Sequence, residues 1–280
     1  MTISRKKFIC LSGLSISGLL LNTTASARKS APLPATEFKP PFGLASYTLR
    51  EFDLEAVIGM CQRLRLTHLS LKSMHMPLDS TEQQLKTIAA KVNQAGLQLI
   101  GAGVIYMNKP EEVDQAFTYA QHAGLKMIVA VPQYDLLPQV ETWVKKTNLK
   151  VAIHNHGPGD KLYASPDDIF ARIRSLDQRV GMCIDIGHVV RLNQNPLPFI
   201  ERYKARLYDV HIKDVHQKNA EGDSIEIGRG VIDIPGVLSA LKNIGYQGAL
   251  SFEYEKDAKD PLPGLAESVG YVRGVLKLLG

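Results

Sequence analysis

The chain has little cysteine, a single tryptophan and little net charge, and it has no long apolar run beyond its first two dozen residues. Each shortage narrows the field. Of its 3 cysteines, Cys10 falls in a leader-like segment. Cys61 falls in a predicted helix and Cys183 inside a predicted strand, which favours two buried free thiols over a bridge. The formal charge is +5 over 280 residues, and Arg5, Lys6, Lys7, Arg28 and Lys29 carry part of it. The remainder is nearly neutral, so charge gives no support for nucleic-acid binding. No glycine-rich phosphate loop follows an early strand, which speaks against an open dinucleotide-binding sheet. Trp143 sits in a predicted helix and reads as packing.

The N-terminus has the layout of an export signal. Arg5, Lys6 and Lys7 form a basic start, residues 8–21 an apolar stretch too short to span a bilayer, and Ala25-Ser-Ala27 a small-x-small cleavage pattern. We therefore expect a signal peptide over 1–27, a linker rich in Pro, Ala and Ser over 28–40, and one domain over 41–280. The mature protein is then periplasmic or secreted. An uncleaved anchor or a buried N-terminal helix is the alternative. A lone Arg5 before Lys6 leaves the export route open.

From Phe42 onward, strand-like and helix-like segments alternate without a break. Strand patterns fall at 42–49, 68–75, 97–105, 126–131, 150–156, 181–186, 207–215 and 249–255. Helical spacing fills the intervals, with Pro110 and Pro166 at predicted first turns and Gly96, Gly124 and Gly245 just past predicted ends. Repeated βα units imply a parallel sheet, and eight of them in this length imply a single (β/α)8 barrel of the α/β class. A doubly wound open sheet is the runner-up.

In such a barrel the C-terminal ends of the strands form the active site. Alternation shows which side chains point inward. Cys183 and Asp185 share one face of strand six; Asp209, His211 and Lys213 share one face of strand seven; Ser251, Glu253 and Glu255 share one face of strand eight. His154 and His156 share a face of strand five, and Ser70, Lys72 and Met74 share one of strand two. His154, Asp185, His211 and Glu253 thus converge on one point. Two imidazoles and two carboxylates suit Mn2+, Co2+, Fe2+ or Zn2+ better than Ca2+.

The same residues carry a family resemblance. The segments Ile153-His-Asn-His-Gly-Pro158, Cys183-Ile-Asp-Ile-Gly-His188, His211-Ile-Lys-Asp214, Gly228-Arg-Gly-Val-Ile-Asp233 and Ser251-Phe-Glu-Tyr-Glu255 resemble the sugar phosphate isomerase/epimerase family, with its xylose-isomerase-like barrel. The resemblance runs from about Pro41 to Gly280. It implies a divalent metal held by His154, Asp185, His211 and Glu253. Ketose 3-epimerases of the family carry Glu at the strand-five position and use two Glu residues as an acid/base pair. His154 departs from that pattern. Exported relatives resemble enzymes of 3-keto-glycoside breakdown, which implies lyase or hydratase chemistry.

The expected reaction is proton abstraction beside a carbonyl. Glu253 is the first candidate base, followed by Lys72 and His156. His75, His188, Lys213 and Arg229 are candidate substrate contacts. The expected partner is a small carbohydrate, with no nucleic acid and no membrane once the leader is removed; homo-oligomerisation stays open. A sugar isomerase or epimerase is the alternative. An abasic-site endonuclease would need a basic groove, and a non-catalytic sugar binder would not need a converging metal site.

Overall fold

The computed structural model describes residues 38–280. The expected signal, Cys10 and the linker up to residue 37 lie outside the described residues.

The apolar runs become strands and the amphipathic runs become helices, in the alternating order the pattern implies. The chain runs β1 (Phe42–Ala45), α1 (Leu54–Arg63), β2 (His68–Leu71), α2 (Glu82–Gln94), β3 (Gln98–Met107), α3 (Pro110–His122), β4 (Met127–Pro132), α4 (Leu137–Thr147), β5 (Lys150–His154) and α5 (Pro166–Ile173). It continues through β6 (Val180–Asp185), α6 (Ile186–Arg191), α7 (Leu197–Arg202), β7 (Leu207–Ile212), β8 (Asp214–Val215), β9 (Ser224–Ile225), α8 (Ile234–Asn243), β10 (Leu250–Phe252) and α9 (Leu262–Leu279). Helix starts follow local chemistry. Thr81 opens α2 and Ser165 opens α5 with reciprocal capping bonds, and proline occupies the first turn of α3, α4, α5, α8 and α9. Among the described residues, no helix is long and apolar enough to cross a membrane.

The sheet closes in the order β1-β10-β7-β6-β5-β4-β3-β2, every pair parallel. This is the single (β/α)8 barrel expected. The outward faces of the strands pack on the helices as one continuous core. Inside the barrel a small plug of Met127, Val129, Ala152 and Cys183 closes the centre. Ala152 and Cys183 lie two residues before His154 and Asp185, so the plug floors the ring of polar strand ends. Cys61 and Cys183 are both free and buried.

Several boundaries depart from the sequence pattern: β2 ends at Leu71 and β10 at Phe252, short of the expected 75 and 255, and four other departures shape the site. β1 stops at Ala45, and Ser46–Leu49 forms a 3-10 turn. There Ser46 Oγ accepts the Lys72 N–H at 2.8 Å and Thr48 Oγ1 accepts the Tyr254 N–H at 3.0 Å, so neighbouring segments hold the turn. β5 ends at His154, leaving His156 in the loop beyond. The expected Gly-His turn after strand six is the helix α6, capped by Asp185, whose Oδ1 accepts the His188 N–H at 2.8 Å. The expected seventh strand breaks at Lys213, and Asp214–Val215 leaves the barrel to pair antiparallel with Ser224–Ile225.

One carboxylate ties that hairpin down. Asp214 Oδ2 accepts the backbone N–H groups of Gly228 and Gly230 at 3.0 and 3.1 Å, and Oδ1 accepts those of Val215 and Ile232 at 2.9 and 3.1 Å. Gly228 takes a φ of +94°, a conformation that glycine alone adopts without strain. The His-Ile-Lys-Asp and Gly-Arg-Gly-Val-Ile-Asp segments are therefore two halves of one turn.

Candidate metal centre

Four adjacent strands deliver the polar ring. His154 ends β5, Asp185 ends β6, His211 is the penultimate residue of β7, and Glu253 follows β10 directly. All are almost wholly buried. Each offers a ligand atom, and these atoms lie within 4.8 Å of one another. Ligands at about 2.0–2.2 Å from one ion stand at most about 4.4 Å apart, so small side-chain rotations bring the set onto a cation.

The hydrogen bonding leaves room for such an ion. His211 Nδ1 lies 3.1 Å from His154 Nε2 and 3.0 Å from Glu253 Oε2. His154 Nδ1 and His211 Nε2 are buried without a hydrogen bond, and Asp185 Oδ2 accepts no well-aligned one although the Lys213 ammonium stands 2.9 Å away. A cation directed at Asp185 Oδ2 would give this buried oxygen the directed partner that the angle of the ammonium does not supply. Beneath the ring, Asp209 Oδ2 lies 3.6 Å from His211 Nε2, while its Oδ1 accepts the Ser251 hydroxyl at 2.8 Å. This carboxylate faces the ring nitrogen that His211 turns away from the cluster, the usual partner of a metal-bound imidazole. Cys183 with His154 and His211 forms a second grouping of similar compactness, but burial raises the Cys183 thiol well above its ordinary range and disfavours the thiolate.

Electrostatics sort the groups by protonation. Burial, reinforced by the neighbouring rings, holds His154 well below its ordinary pKa. Burial does the same to His188, helped by the Lys213 ammonium, and lowers His156. These imidazoles are neutral, the form that binds metals and accepts protons. Burial opposes ionisation of Glu253, but Lys213 and His211 outweigh it and hold the carboxyl well below its ordinary range. Burial raises Asp185 despite Lys213. Lys213 is itself buried, yet Asp185, Glu253 and Glu255 keep it firmly protonated. Its ammonium stands 2.9 Å from both Asp185 Oδ2 and Glu253 Oε2 and also bonds Glu255. Gly187 makes its position possible: a Cβ there would come within 2.5 Å of the Lys213 stem.

Of the candidate residues, eight gather here and two do not. His154, Asp185, His211 and Glu253 form the ring, with Lys213 against it. Lys72, His156 and His188 line the cavity above, about 350 Å3 in volume. His75 does not reach it: the ring is buried behind the mouth, bonded to Ser46 Oγ at 2.8 Å and to the Phe52 carbonyl at 3.0 Å. Arg229 points outward in an exposed ion pair with Glu267, because the turn built on Asp214 directs it away. Two tyrosines escaped the sequence reading. Tyr106 stacks on His156 with centroids 5.7 Å apart, its hydroxyl 3.1 Å from His156 Nε2. The Tyr47 ring lies under the Lys72 ammonium, 4.8 Å from its centroid. Tyr106 had a signal: it sits one residue past the expected end of strand three. Tyr47 lies in the turn that replaces the end of strand one, where alternation fails.

A barrel with this ring of strand ends has known relatives. The model of the xylose isomerase-like TIM barrel family matches residues 69–275. The chain belongs to that family. It is 26% identical over 129 residues to an inosose dehydratase of Lacticaseibacillus casei, covering 40% of this chain and 43% of that protein. The chain thus spans less than half the length of the curated relatives it matches. Among solved structures, the IOLI protein with a bound zinc atom aligns with a TM-score of 0.72 at 17% identity, over 85% of this chain and 98% of that one. An L-ribulose 3-epimerase aligns with a TM-score of 0.69 at 15% identity, over 86% and 95%. At these identities the structural likeness carries the fold.

Proposed function

We propose that this protein is a divalent-metal-dependent enzyme that acts on a keto-sugar or 3-keto-glycoside. It removes a proton from the carbon beside a carbonyl, with elimination or hydration as the outcome rather than epimerisation. The observation that carries the reading is the convergence of His154, Asp185, His211 and Glu253 under a cavity that also presents His156 and Lys72. The inosose dehydratase and zinc-bound relatives support it.

The ion would be held by those four residues, and its identity lies among Mn2+, Co2+, Fe2+ and Zn2+. It would supply Lewis acidity at the ketone oxygen, where negative charge develops. The side chains do the rest. Glu253, held ionised by Lys213 and His211, is a poor proton acceptor. His156 is the better base: burial keeps it neutral, and Asp160 Oδ2, 3.4 Å from its Nδ1, balances the positive charge it acquires. Burial also lowers the pKa of Lys72, which eases its gift of a proton to a departing oxygen. In the elimination, the C–H pair becomes the new C=C bond, the C–O bond breaks, and the leaving oxygen takes the Lys72 proton. Epimerisation needs a base on each face of one carbon. His154, whose Nε2 lies among the ligand atoms, leaves the strand-five side without one.

The reading includes export, which rests on the leader-like residues 1–27. The decisive assay offers metal-loaded and metal-stripped protein a 3-keto-glucoside and a panel of free ketoses in D2O, followed by NMR. Metal-dependent release of the aglycone, or hydration of a 2-hydroxyglucal, is expected. Deuterium uptake with inversion and no C–O cleavage would make the protein an epimerase instead.

A further inference from the structure

The cavity over the metal ring is one of two that meet. A second, of about 360 Å3, opens between the end of α6 and the β8–β9 hairpin. His188 and Glu255 line both, so the two are lobes of one cleft. Each lobe alone reaches the lower end of the volumes typical of small-molecule sites, about 300 Å3. A single hexose on the metal would leave the hairpin lobe unused.

The two lobes differ in chemistry. The metal lobe is lined by the rings of Tyr47 and Tyr106, which suit contact with the apolar side of a sugar ring. None of the nine residues lining the hairpin lobe is Phe, Tyr or Trp, the His188 imidazole at its junction with the metal lobe being its one ring, and its wall is mostly polar. Donors and acceptors alternate around it: Arg191 and Lys256 against Asp223 and Glu255, with the Ser224 hydroxyl beside them. Its cations are largely compensated. Lys256 pairs with Glu226 at 2.7 Å, and Lys213 is held by three carboxylates. Arg191 donates from Nη2 to the Ala220 carbonyl at 2.8 Å, which braces the hairpin loop against α6, while its Nε is buried without a hydrogen bond, so it is the one guanidinium of the lobe with a donor to spare. A phosphate in this lobe would face Asp223 and Glu255 without a free cluster of cations. A phenyl ring would find no tyrosine, tryptophan or phenylalanine face, only the His188 imidazole at the junction, and would desolvate charged groups. A polyhydroxylated ring satisfies donors and acceptors together.

We infer that the cleft takes a neutral two-ring glycoside. The keto-sugar ring lies over the metal ring against Tyr47 and Tyr106, and a second, hydroxylated sugar occupies the lobe under the β8–β9 hairpin as the leaving group. The inference rests on the lyase or hydratase reading for the words "leaving group"; the occupancy of the lobe stands on its lining alone.

The test separates the two. Metal-loaded protein is titrated by calorimetry with an unoxidised glucosyl-glucose disaccharide, with glucose, with glucose 6-phosphate and with phenyl glucoside, none of which carries the reactive ketone. The disaccharide is expected to bind at least tenfold more tightly than the others, and Asp223→Ala and Lys256→Met are each expected to weaken it about tenfold, the scale of one hydrogen bond to a charged group. Neither change should alter glucose binding. Equal affinity for glucose and the disaccharide, preference for the phosphate or the phenyl glucoside, or indifference of disaccharide binding to both substitutions would overturn the inference. Tight, substitution-sensitive disaccharide binding without cleavage of the 3-keto-disaccharide would refute the proposed reaction and leave the lobe assignment standing.

Discussion

Replacing Lys213 by Met keeps most of the side-chain volume and removes one charge from the most crowded electrostatic position in the molecule. The ammonium stands 2.9 Å from Asp185 Oδ2 and from Glu253 Oε2, and all three groups are buried. Breaking a buried ion pair by removing one partner costs about 3–5 kcal/mol, because the remaining charge is stranded. For a domain of this size about 1 kcal/mol moves Tm by roughly 2–4 °C, so metal-free Lys213→Met protein should melt about 6–20 °C below the parent. A divalent ion on the same two carboxylates replaces the lost charge. The variant should therefore bind Mn2+ or Zn2+ more tightly than the parent, by about tenfold or more, since no ammonium competes for the oxygens. Its melting temperature should recover most of the deficit when the metal is added. Differential scanning calorimetry with and without metal, and a competitive chelator titration, read both effects. An equal loss of stability in metal-loaded and metal-free protein, or weaker metal binding by the variant, would refute the placement of Lys213 and the ion on shared ligands.

Asp209→Asn should lower metal affinity about 10–100-fold without unfolding the protein, because the carboxylate facing His211 Nε2 at 3.6 Å is replaced by an amide that no longer selects one tautomer; chelator competition measures it. Asp214→Ala frees four backbone N–H groups, of Val215, Gly228, Gly230 and Ile232, and should cost at least about 3 kcal/mol in urea unfolding, with hydrogen exchange rising first over residues 214–232. Stability should also fall in mild acid. The buried imidazoles of His154, His156 and His188 are depressed below the ordinary value of 6.5, so below that pH the unfolded chain takes up protons that the folded chain refuses. Their contribution is complete above pH 6.5 and drains away as the pH drops, while His211, shifted upward, acts in the opposite sense. Urea midpoints of metal-free protein at pH 7.5, 6.5 and 5.5 should decline in that order, and His188→Gln should flatten the decline.

The barrel could be read from the chain because most βα units announce themselves twice, by an apolar or alternating strand and by the proline or glycine bounding the helix; α1, between Asp53 and Leu64, is an exception. The convergence of the polar strand ends could be read for the same reason: alternation places Asp185 with Cys183, His211 with Asp209 and Glu253 with Ser251 on one inward face. Periodicity fails where elements are shorter than a period. The two-residue strands of the β8–β9 hairpin leave no pattern, so half of the cleft stayed hidden. α6 was disguised by Gly187, which reads as a turn signal yet is there to clear the Lys213 stem. His75, near an expected strand end, and Arg229, in a loop, lie outside the cavity because sequence pattern says nothing of the direction a loop takes. Asp214, which sets that direction for Arg229, bonds to groups up to 18 positions away.

The four ring residues span positions 154 to 253, and the last of them follows the strand that pairs with β1. During synthesis, three of the four are already available while Glu253 is still missing and the sheet is an open, curved ribbon. Closure and the completion of the ring are then a single event, since the segment that zips β7 to β1 also carries the final carboxylate. An ion bound by all four would act as a latch on the seam rather than as a nucleus for the fold, slowing the barrel's opening far more than it speeds its assembly. Protection from proteolysis near residues 250–255 would then be the most sensitive gauge of whether the latch is shut.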